Sequence, residues 1–493
     1  MERTIAPLQN TKVLRLKGPM GWRSPRIVLL LVLVLLSHAV AAENSVHAVL
    51  ESWVNHRGGD IRRVGIAADP RRPGQTVLAM RANVNAGDLV LTIPFALSLT
   101  SDWAADPLLR RVPAKDTGLV PAFWRLALRL LHHQRVWGKA PLDQQPSPYR
   151  AYIATLPAEH GLPFSWHAKE LSFLVGTSAH RAIAAQRAQL ETDITEIIMP
   201  LAALHPTFAF PRSALEWAAG IVWSRCYSHS DSEGGTTFSL VPILDAANHR
   251  PRPVPAADRV RYVLRDEEKG ARFVYAAQAL APGDEYEHDY GALSNEQLFT
   301  HFGFVAQETN PDDSVTIQLD LVAAGCCSEE VRGLLLRAGA IDSEGSMLAA
   351  FPLFLNGLSP GLIAAHRLAF LQGKDELALA SRALSGQPVS AANEARVRAA
   401  LTAACEEVLA TLPWKRGSAK RMGALEVQGA ERTPAESRRL VMLRLIFHTR
   451  ELLRRNVKLF AAYHDEALRI LREGGGGAGK DRATRHVPSR EEL

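Results

Sequence analysis

The most informative part of this sequence is the stretch Gly283-Asp284-Glu285-Tyr286-Glu287-His288-Asp289-Tyr290-Gly291. It indicates a fold only together with two stretches that precede it. The first of these, Trp217–Arg225, reads WAAGIVWSR, and the second, Leu240–His249, reads LVPILDAANH. Trp217 and Ile221 share one helical face, so the first stretch predicts a helix that ends at its Ser-Arg pair. The third stretch continues to a Phe-Gly-Phe-Val run at residues 302–305.

Each polar residue in these stretches also has an ordinary explanation. Arg225 at the end of a helix is favoured by the helix dipole as a solvated cation. Asn248 followed by His249 is compatible with a polar turn, and Tyr290 before Gly291 with a tyrosine whose ring packs at a strand end. Only the order and spacing of the three stretches together favour a functional interpretation.

In that order and spacing the stretches resemble the SET domain of the plant Rubisco large-subunit methyltransferase family, which includes related lysine and histidine methyltransferases. The resemblance covers most of residues 45–470 and is looser in the segment Tyr152–Pro157 and in the C-terminal part. It implies an α+β fold. A β-rich SET domain with pseudoknot-like threading would span residues 42–310, with a helical insert at about 118–213, and an all-α substrate-binding domain would follow at 311–473.

The resemblance also implies a site for S-adenosylmethionine. Arg225 would grip the methionyl carboxylate of the cofactor with its guanidinium fork. Tyr290 would be the catalytic residue beside the transferred methyl, and Tyr227 and Phe302 would form aromatic walls of the substrate channel. The full set of implied cofactor-binding residues is Gly74, Gln75, Arg225, Asp245, Asn248, His249 and Tyr290. Thr76 departs from the family pattern, because a second glycine commonly stands at that position.

The function that the resemblance implies is S-adenosylmethionine-dependent methylation of protein lysines, an activity of the EC 2.1.1 class. Lysine is almost wholly protonated at neutral pH, so a dry channel that disfavours the ammonium form would help to deliver the free amine. One alternative is protein-histidine N-methylation, because imidazole is already mostly neutral at pH 7. Another is a non-catalytic SET scaffold that binds peptides through its helical C-terminal part.

Local patterns predict the secondary structure around these stretches. Short apolar runs separated by turn residues predict β-strands between Val64 and Thr100, and helical spacing predicts helices from Pro121 to about Ser213. Residues 261–264 and 272–275 predict a hairpin. Past Pro311 the chain is expected to be mostly helical. Ser359-Pro360 predicts one helix start, and a capping box at Thr433–Glu436 predicts another helix that reaches Glu473.

Charge and cysteine content exclude other classes of function. The net charge is +6, but residues 1–41 hold six basic residues and one acid and so account for five of these charges. A nearly neutral remainder makes nucleic acid an unexpected partner. The four cysteines, Cys226, Cys326, Cys327 and Cys405, have no short zinc-type spacing, so no metal is expected.

The two ends of the sequence predict a cellular address. A basic segment, the aliphatic run Ile27–Leu36 and small residues at 39 and 41 are typical of a secretory signal peptide over residues 1–41. The run is too short to favour a stable membrane span. Residues 474–493 read as a flexible tail that ends in Arg490-Glu491-Glu492-Leu493, a variant of the Lys-Asp-Glu-Leu signal read by a retrieval receptor. We therefore expect the lumen of the endoplasmic reticulum, with a plastid route or a signal-anchored membrane protein as alternatives.

Overall fold

The computed structural model describes most of the chain. The described residues are 46–69, 75–104, 106, 109–137, 149–230, 235–250, 262–306, 309–317, 328–337, 351–355 and 357–473. The predicted signal peptide, the C-terminal tail with its Arg-Glu-Glu-Leu ending, the Cys326-Cys327 pair and Gly74 lie outside these residues. Within the described part, no helix is both long and apolar enough to cross a membrane. The same part holds no cluster of His, Cys, Asp and Glu side chains suited to a metal ion.

The N-terminal region consists of the predicted short strands, preceded by a helix that was not predicted. Helix α1 spans residues 46–56. It is followed by four strands: β1 (Val64–Ala68), β2 (Thr76–Met80), β3 (Leu89–Pro94) and β4 (Leu99–Thr100). β1 and β2 pair as an antiparallel hairpin, with Val64 opposite Met80. Val64 of β1 and Val77, Leu78 and Met80 of β2 are buried, so both strands contribute to the core.

The insert that follows is helical over its described residues. Its helices are α2 (Ala114–Thr117), α3 (Ala122–Trp137), α4 (Arg150–Ile153), α5 (Ala168–Leu171), α6 (Ser178–Asp193) and α7 (Met199–Leu204). Leu126, Ala127, Leu130 and Leu131 of α3 are fully buried and pack towards helix α8 (Arg212–Arg225). The insert therefore shares one core with the rest of the predicted SET domain.

The part of the predicted SET domain that follows the insert is built from strands only two to five residues long. They are β5 (Cys226–Ser230), β6 (Thr236–Leu240), β7 (Asn248–His249), β8 (Val263–Asp266), β9 (Ala271–Tyr275) and β10 (Glu287–His288). Three sheets result, with strand orders β4-β6-β5, β3-β9-β8 and β10-β7. β8 and β9 form the predicted hairpin. β7 and β10 are parallel, with Asn248 opposite Glu287, which is the contact that the predicted threading requires. Helix α9 (Asn295–Phe302) completes this part.

The C-terminal part is helical except for one small sheet. Its helices are α10 (Glu329–Arg337), α11 (Pro360–Ala369), α12 (Gly373–Leu377), α13 (Ala380–Leu384), α14 (Ala391–Thr411), α15 (Ser418–Gln428) and α16 (Pro434–Glu473). Strands β11 (Ser314–Ile317) and β12 (Phe351–Phe354) pair antiparallel between them. The expectation of an all-α part misses this pair, because each strand is four residues long and its partner lies more than 30 residues away. Burial of Val315, Ile317 and Leu353 stabilises the pairing.

The predicted helix starts are confirmed in this part. Ser359 is the N-cap of α11 with Pro360 in the first turn, although its side chain makes no capping hydrogen bond. At α16 the backbone N–H of Thr433 donates to Glu436 Oε2 over 2.9 Å, and the backbone N–H of Glu436 donates to Thr433 Oγ1 over 3.3 Å. This capping box opens a helix of 40 residues that packs on α14, α9 and the β11-β12 sheet. Helix α16 thereby joins the C-terminal part to helix α9 of the predicted SET domain.

Candidate active site

Arg225 is the last residue of α8, where the chain passes directly into β5. Its Nη1 donates to the carbonyl oxygen of Asp245 over 3.1 Å and lies 3.3 Å from the Asp245 carboxylate. The Arg225 side chain is 25% exposed, whereas that of Asp245 is 5% exposed. Burial lowers the pKa of Arg225, but Asp245, Tyr152 and Tyr290 outweigh this effect, so the pKa lies above its usual value. The guanidinium is therefore a fixed cation with one side open to solvent.

Tyr152, from α4 of the insert, holds the carboxylate of Asp245 from the other side. Its hydroxyl donates to Asp245 Oδ2 over 2.8 Å. Burial raises the pKa of Asp245, and the nearby Arg225 and Tyr152 oppose that rise. The carboxylate thus orients Arg225 in the structure, and the direct cofactor contact implied for Asp245 stays a prediction. Tyr152 belongs to the Tyr152–Pro157 segment of the resemblance, but no role is predicted for it there.

A strained turn lies immediately before Asp245. Ile243 has a positive φ of 69° and a ψ of −50°, and the N–H of Leu244 donates to the carbonyl of Pro242 over 2.8 Å. These angles define a γ-turn, which is costly for a β-branched residue. The Ile243 side chain is fully buried, and this burial holds the turn in place. Strain of this kind concentrates at functional sites.

The turn presents backbone carbonyls to three of the candidate site residues. The Tyr227 hydroxyl lies 3.3 Å from the carbonyl oxygen of Leu244. Arg225 donates to the carbonyl of Asp245, and the Tyr290 hydroxyl donates to the carbonyl of Ala247 over 2.9 Å. Side chains from α8, β5 and the segment after β10 are therefore gathered around residues 244–247.

Asn248 and His249 follow as strand β7 and are fixed by the third stretch. Asn248 Nδ2 donates to Glu285 Oε1 over 2.6 Å. The backbone N–H of Tyr290 donates to His249 Nδ1 over 3.1 Å, so the ring carries its proton on Nε2 when it is neutral. The sequence analysis assigned no role to Glu285, and no local pattern marks it as the partner of an asparagine 37 residues away.

Tyr290 lies among aromatic rings. The centroid of its ring is 4.9 Å from that of Phe302, 5.1 Å from that of His249 and 5.0 Å from that of His288. Phe302 is the last residue of α9, and Gly303 follows it in the left-handed conformation that ends the helix. The two predicted channel residues Tyr227 and Phe302 therefore lie on either side of the His288–Tyr290 segment.

Tyr227 and His288 form a pair that the sequence analysis did not foresee. The Tyr227 hydroxyl and His288 Nε2 are 2.9 Å apart, and the two rings are stacked with centroids 5.8 Å apart. Burial is the main cause that holds the pKa of Tyr227 well above its usual value.

The predicted glycine-containing cofactor segment is only partly described. Gly74 lies outside the described residues, and Gln75 is exposed just before β2. β2 runs beside the third stretch, because Met80 N–H donates to the carbonyl of Asp284 and Tyr286 N–H donates to that of Leu78. Within the described part of the chain, no hydrogen bond joins Gln75 to the other candidate residues.

Comparisons with solved structures agree with this fold. The SET domain of LSMT bound to lysine and AdoHcy aligns with a TM-score of 0.64 at 19% identity, over 89% of this chain and 97% of that one. Rubisco LSMT bound to AdoMet aligns with a TM-score of 0.63 at 18% identity, over 88% and 97% of the two chains. These alignments show that the chain has the fold of the SET-domain structures, as predicted. In addition, residues 333–417 match the family model "Rubisco LSMT substrate-binding", in agreement with the predicted C-terminal domain of that type.

Curated relatives match over shorter regions. Ribosomal lysine N-methyltransferase set10 of Schizosaccharomyces pombe is 28% identical over 35% of this chain and 30% of its own length. Actin-histidine N-methyltransferase of Danio rerio is 25% identical over 59% of this chain and 46% of its own length. N-lysine methyltransferase SETD6 of Homo sapiens is 27% identical over 49% of this chain and 50% of its own length. The chain thus spans about a third to a half of the length of these relatives.

Proposed function

We propose that this protein is an S-adenosylmethionine-dependent protein-lysine N-methyltransferase. The observation that carries the proposal is the convergence of Arg225, Tyr227 and Tyr290 on three backbone carbonyls of residues 244–247, just after the turn at Ile243. A guanidinium, two phenols and a set of backbone carbonyls in one aromatic-lined place suit the binding of an amino-acid group and the orientation of an amine.

The residues fit the proposed cofactor. Only Nη1 of Arg225 is hydrogen-bonded within the described part of the chain, and the side chain is 25% exposed. Its remaining donors are therefore available to a carboxylate, which a guanidinium binds through two parallel hydrogen bonds. When bound, S-adenosylmethionine supplies a methyl group on a positively charged sulfur.

The chain's own residues would then bind the cofactor, orient the amine and exclude water. Arg225 holds the carboxylate of the cofactor, and Asp245 and Tyr152 keep the guanidinium aligned. The Tyr290 hydroxyl donates to the carbonyl of Ala247, so its oxygen is oriented as an acceptor for a hydrogen bond from the amine. The rings of Tyr227 and Phe302 exclude water, and a dry wall disfavours the ammonium form of lysine.

Lysine is preferred over histidine as the target on two grounds. Relatives named as lysine methyltransferases include set10 and SETD6, and Tyr227 provides an aromatic wall suited to a product that keeps its charge. Histidine methylation is the second candidate, because the actin-histidine N-methyltransferases of Danio rerio and Drosophila melanogaster are also similar to this chain. A non-catalytic peptide-binding scaffold is the third, and it predicts no cofactor binding.

Titration calorimetry with S-adenosylmethionine, combined with Tyr290→Phe, tests the proposal. The variant should bind the cofactor within about threefold of the native affinity but transfer methyl groups on the order of 10 to 100 times more slowly, because only orientation of the amine is lost. Tyr463→Phe, a tyrosine of α16 far along the chain, is the matched control. Absence of cofactor binding would favour the scaffold, and unchanged turnover in Tyr290→Phe would remove this tyrosine from its role. Mass spectrometry of the labelled residue distinguishes lysine from histidine.

We also propose that the protein resides in the lumen of the endoplasmic reticulum, retained through a retrieval receptor that reads Arg490–Leu493. The support is the pairing of a signal-peptide pattern at residues 1–41 with this C-terminal ending. Microscopy with a fluorescent tag placed before residue 474, so that the C-terminus stays free, tests this. Deletion of residues 490–493 should cause secretion, whereas plastid or plasma-membrane signal from the full chain would support the alternative routes.

A further inference from the structure

His288 and Tyr227 form a hydrogen-bonded pair whose direction the structure fixes. Nδ1 of His288 lies 3.3 Å from the carbonyl oxygen of Asp289, and a carbonyl can only accept, so Nδ1 carries the proton of the neutral ring. Nε2 is then the unprotonated nitrogen, and the Tyr227 hydroxyl at 2.9 Å donates to it. The carbonyl of Leu244 is a more distant acceptor for the same hydroxyl, at 3.3 Å.

This direction leaves the oxygen of Tyr227 as an acceptor. A hydroxyl that donates its proton to an imidazole can still accept hydrogen bonds through its lone pairs. Burial holds the pKa of Tyr227 well above its usual value, so this tyrosine cannot keep a negative charge after giving up its proton. A proton that reaches the tyrosine oxygen must therefore move on to His288.

The groups around the pair do not compete for that role. His249, on the neighbouring strand β7, accepts the backbone N–H of Tyr290 at Nδ1, and Asp289 lies 4.0 Å from that nitrogen. Asp245 is engaged with Arg225 and Tyr152. Within the described residues, further ionisable side chains near the pair include those of Tyr290, Tyr286 and Arg272.

Arg272 adds a buried positive charge behind Tyr227. Its guanidinium donates to the hydroxyls of Ser98 and Ser239, and the Ser239 hydroxyl donates to the backbone carbonyl of Tyr227. A cation at this position opposes a positive charge on the incoming ammonium group and, to a similar extent, on a protonated His288, so it does not by itself decide the direction of proton transfer.

We propose that Tyr227 and His288 relay a proton away from the substrate ammonium group before methyl transfer, an inference that rests on the proposed function. The ammonium N–H gives its proton to the Tyr227 oxygen while the hydroxyl proton of Tyr227 moves to Nε2 of His288. The products are a neutral amine, an unchanged phenol and an imidazolium ion, so atoms and charge balance. His288 acts through Tyr227 and does not itself touch the amine.

The test compares the pH dependence of His288→Asn with that of the native protein. The probe is the initial rate of radiolabelled methyl transfer from S-adenosylmethionine into one fixed preparation of cell-lysate protein. At pH 7.5 the variant should be slower by roughly 10 to 100-fold, the usual effect of losing a general base. At pH 10, where free amine is plentiful, the deficit should shrink to less than about threefold. His56→Asn, an exposed histidine of α1, is the matched control and should behave as the native protein does.

A deficit that is equal at all pH values would overturn the relay, because a merely structural role does not depend on the protonation of the amine. If the native protein transfers no label, the proposed function fails first, whereas an active native protein with a pH-independent deficit in the variant removes the relay alone.

A second measurement does not depend on turnover. Nitrogen NMR of the ¹⁵N-histidine-labelled native protein should show His288 protonated at Nδ1 and bare at Nε2, with the Nε2 signal shifted in Tyr227→Phe. The Nε2-protonated form would overturn the proposal even if His288→Asn fails to fold.

Discussion

An arginine is paired with a carboxylate both in the SET part and in the C-terminal part of the molecule, and the two pairs are built differently. In the C-terminal part, Arg367 binds both oxygens of Glu394, at 2.7 and 2.9 Å, and also donates to the carbonyl of Gly386. These two side chains are 1% and 2% exposed. In the SET part, Arg225 meets Asp245 through one nitrogen only and is 25% exposed.

The difference distinguishes a structural pair from a binding pair. Arg367 uses a donor on each of its three guanidinium nitrogens inside the protein, and its burial closes it to a ligand from solvent. Arg225 is anchored by a carboxylate that Tyr152 also holds, and its other donors make no hydrogen bond to the residues that the structure describes. A buried cation with unused donors on one open side is the feature expected of a site for a carboxylate ligand.

The largest effect is expected from breaking the Arg367–Glu394 pair. Arg367→Met leaves Glu394 buried without its cation and should lower the free energy of unfolding by about 3 to 5 kcal/mol. Urea unfolding followed by circular dichroism measures this. The double variant Arg367→Met with Glu394→Leu should recover most of the loss, because no charge is then stranded. Native stability in the single variant would contradict a structural role for the pair.

At the Arg225–Asp245 pair we expect a smaller loss of stability but a larger loss of affinity for S-adenosylmethionine. Arg225→Met should weaken S-adenosylmethionine binding on the order of 10 to 100-fold, the loss of a charge-assisted hydrogen-bonded contact. Its free energy of unfolding should fall by no more than about 2 kcal/mol, since Asp245 keeps Tyr152 and can take up a proton. Arg212→Met, at the exposed start of the same helix, is the control in calorimetry and should change neither quantity. A stability loss as large as that of Arg367→Met would erase the distinction between the pairs.

The smallest expected effect is a pH dependence of stability that arises from His366 in the C-terminal part. Burial lowers the pKa of His366 to about 4, while the unfolded chain has the ordinary value near 6.5. The unfolded chain therefore takes up the proton first as the pH falls, so stability present above pH 6.5 is lost progressively towards pH 4. Between pH 7 and pH 5 the native protein should lose roughly 1 to 2 kcal/mol through this group. His366→Met should show a correspondingly flatter pH profile of its melting temperature, and parallel profiles would argue against this origin.

Local patterns predicted the elements better than the contacts among them. The capping box at Thr433 predicted the start of α16 because it involves residues only three apart, and the β8-β9 hairpin was predicted for the same kind of reason. The bonds from Tyr152 to Asp245 and from Tyr227 to His288 join residues 93 and 61 positions apart. No local periodicity encodes such pairs, so they emerged only from the fold.

The candidate residues themselves were reached through family resemblance. Arg225, Asp245, Asn248, His249 and Tyr290 do gather in the structure, but the reason for their gathering, the positive φ at Ile243, has no signal in sequence. Isoleucine is among the least expected residues at such a position. The β11-β12 pair was missed for a related reason, because two four-residue strands carry too little pattern to distinguish them from loop.

The parallel ladder between β7 and β10 is only two residues long, yet it holds His249 beside Tyr290. Short ladders open at a lower free energy than the packed helices around them. On gradual heating, catalytic competence should therefore vanish while far-ultraviolet ellipticity is still intact. The temperature at which the protein stops working would then be set by these few hydrogen bonds, well below the melting of α14 and α16.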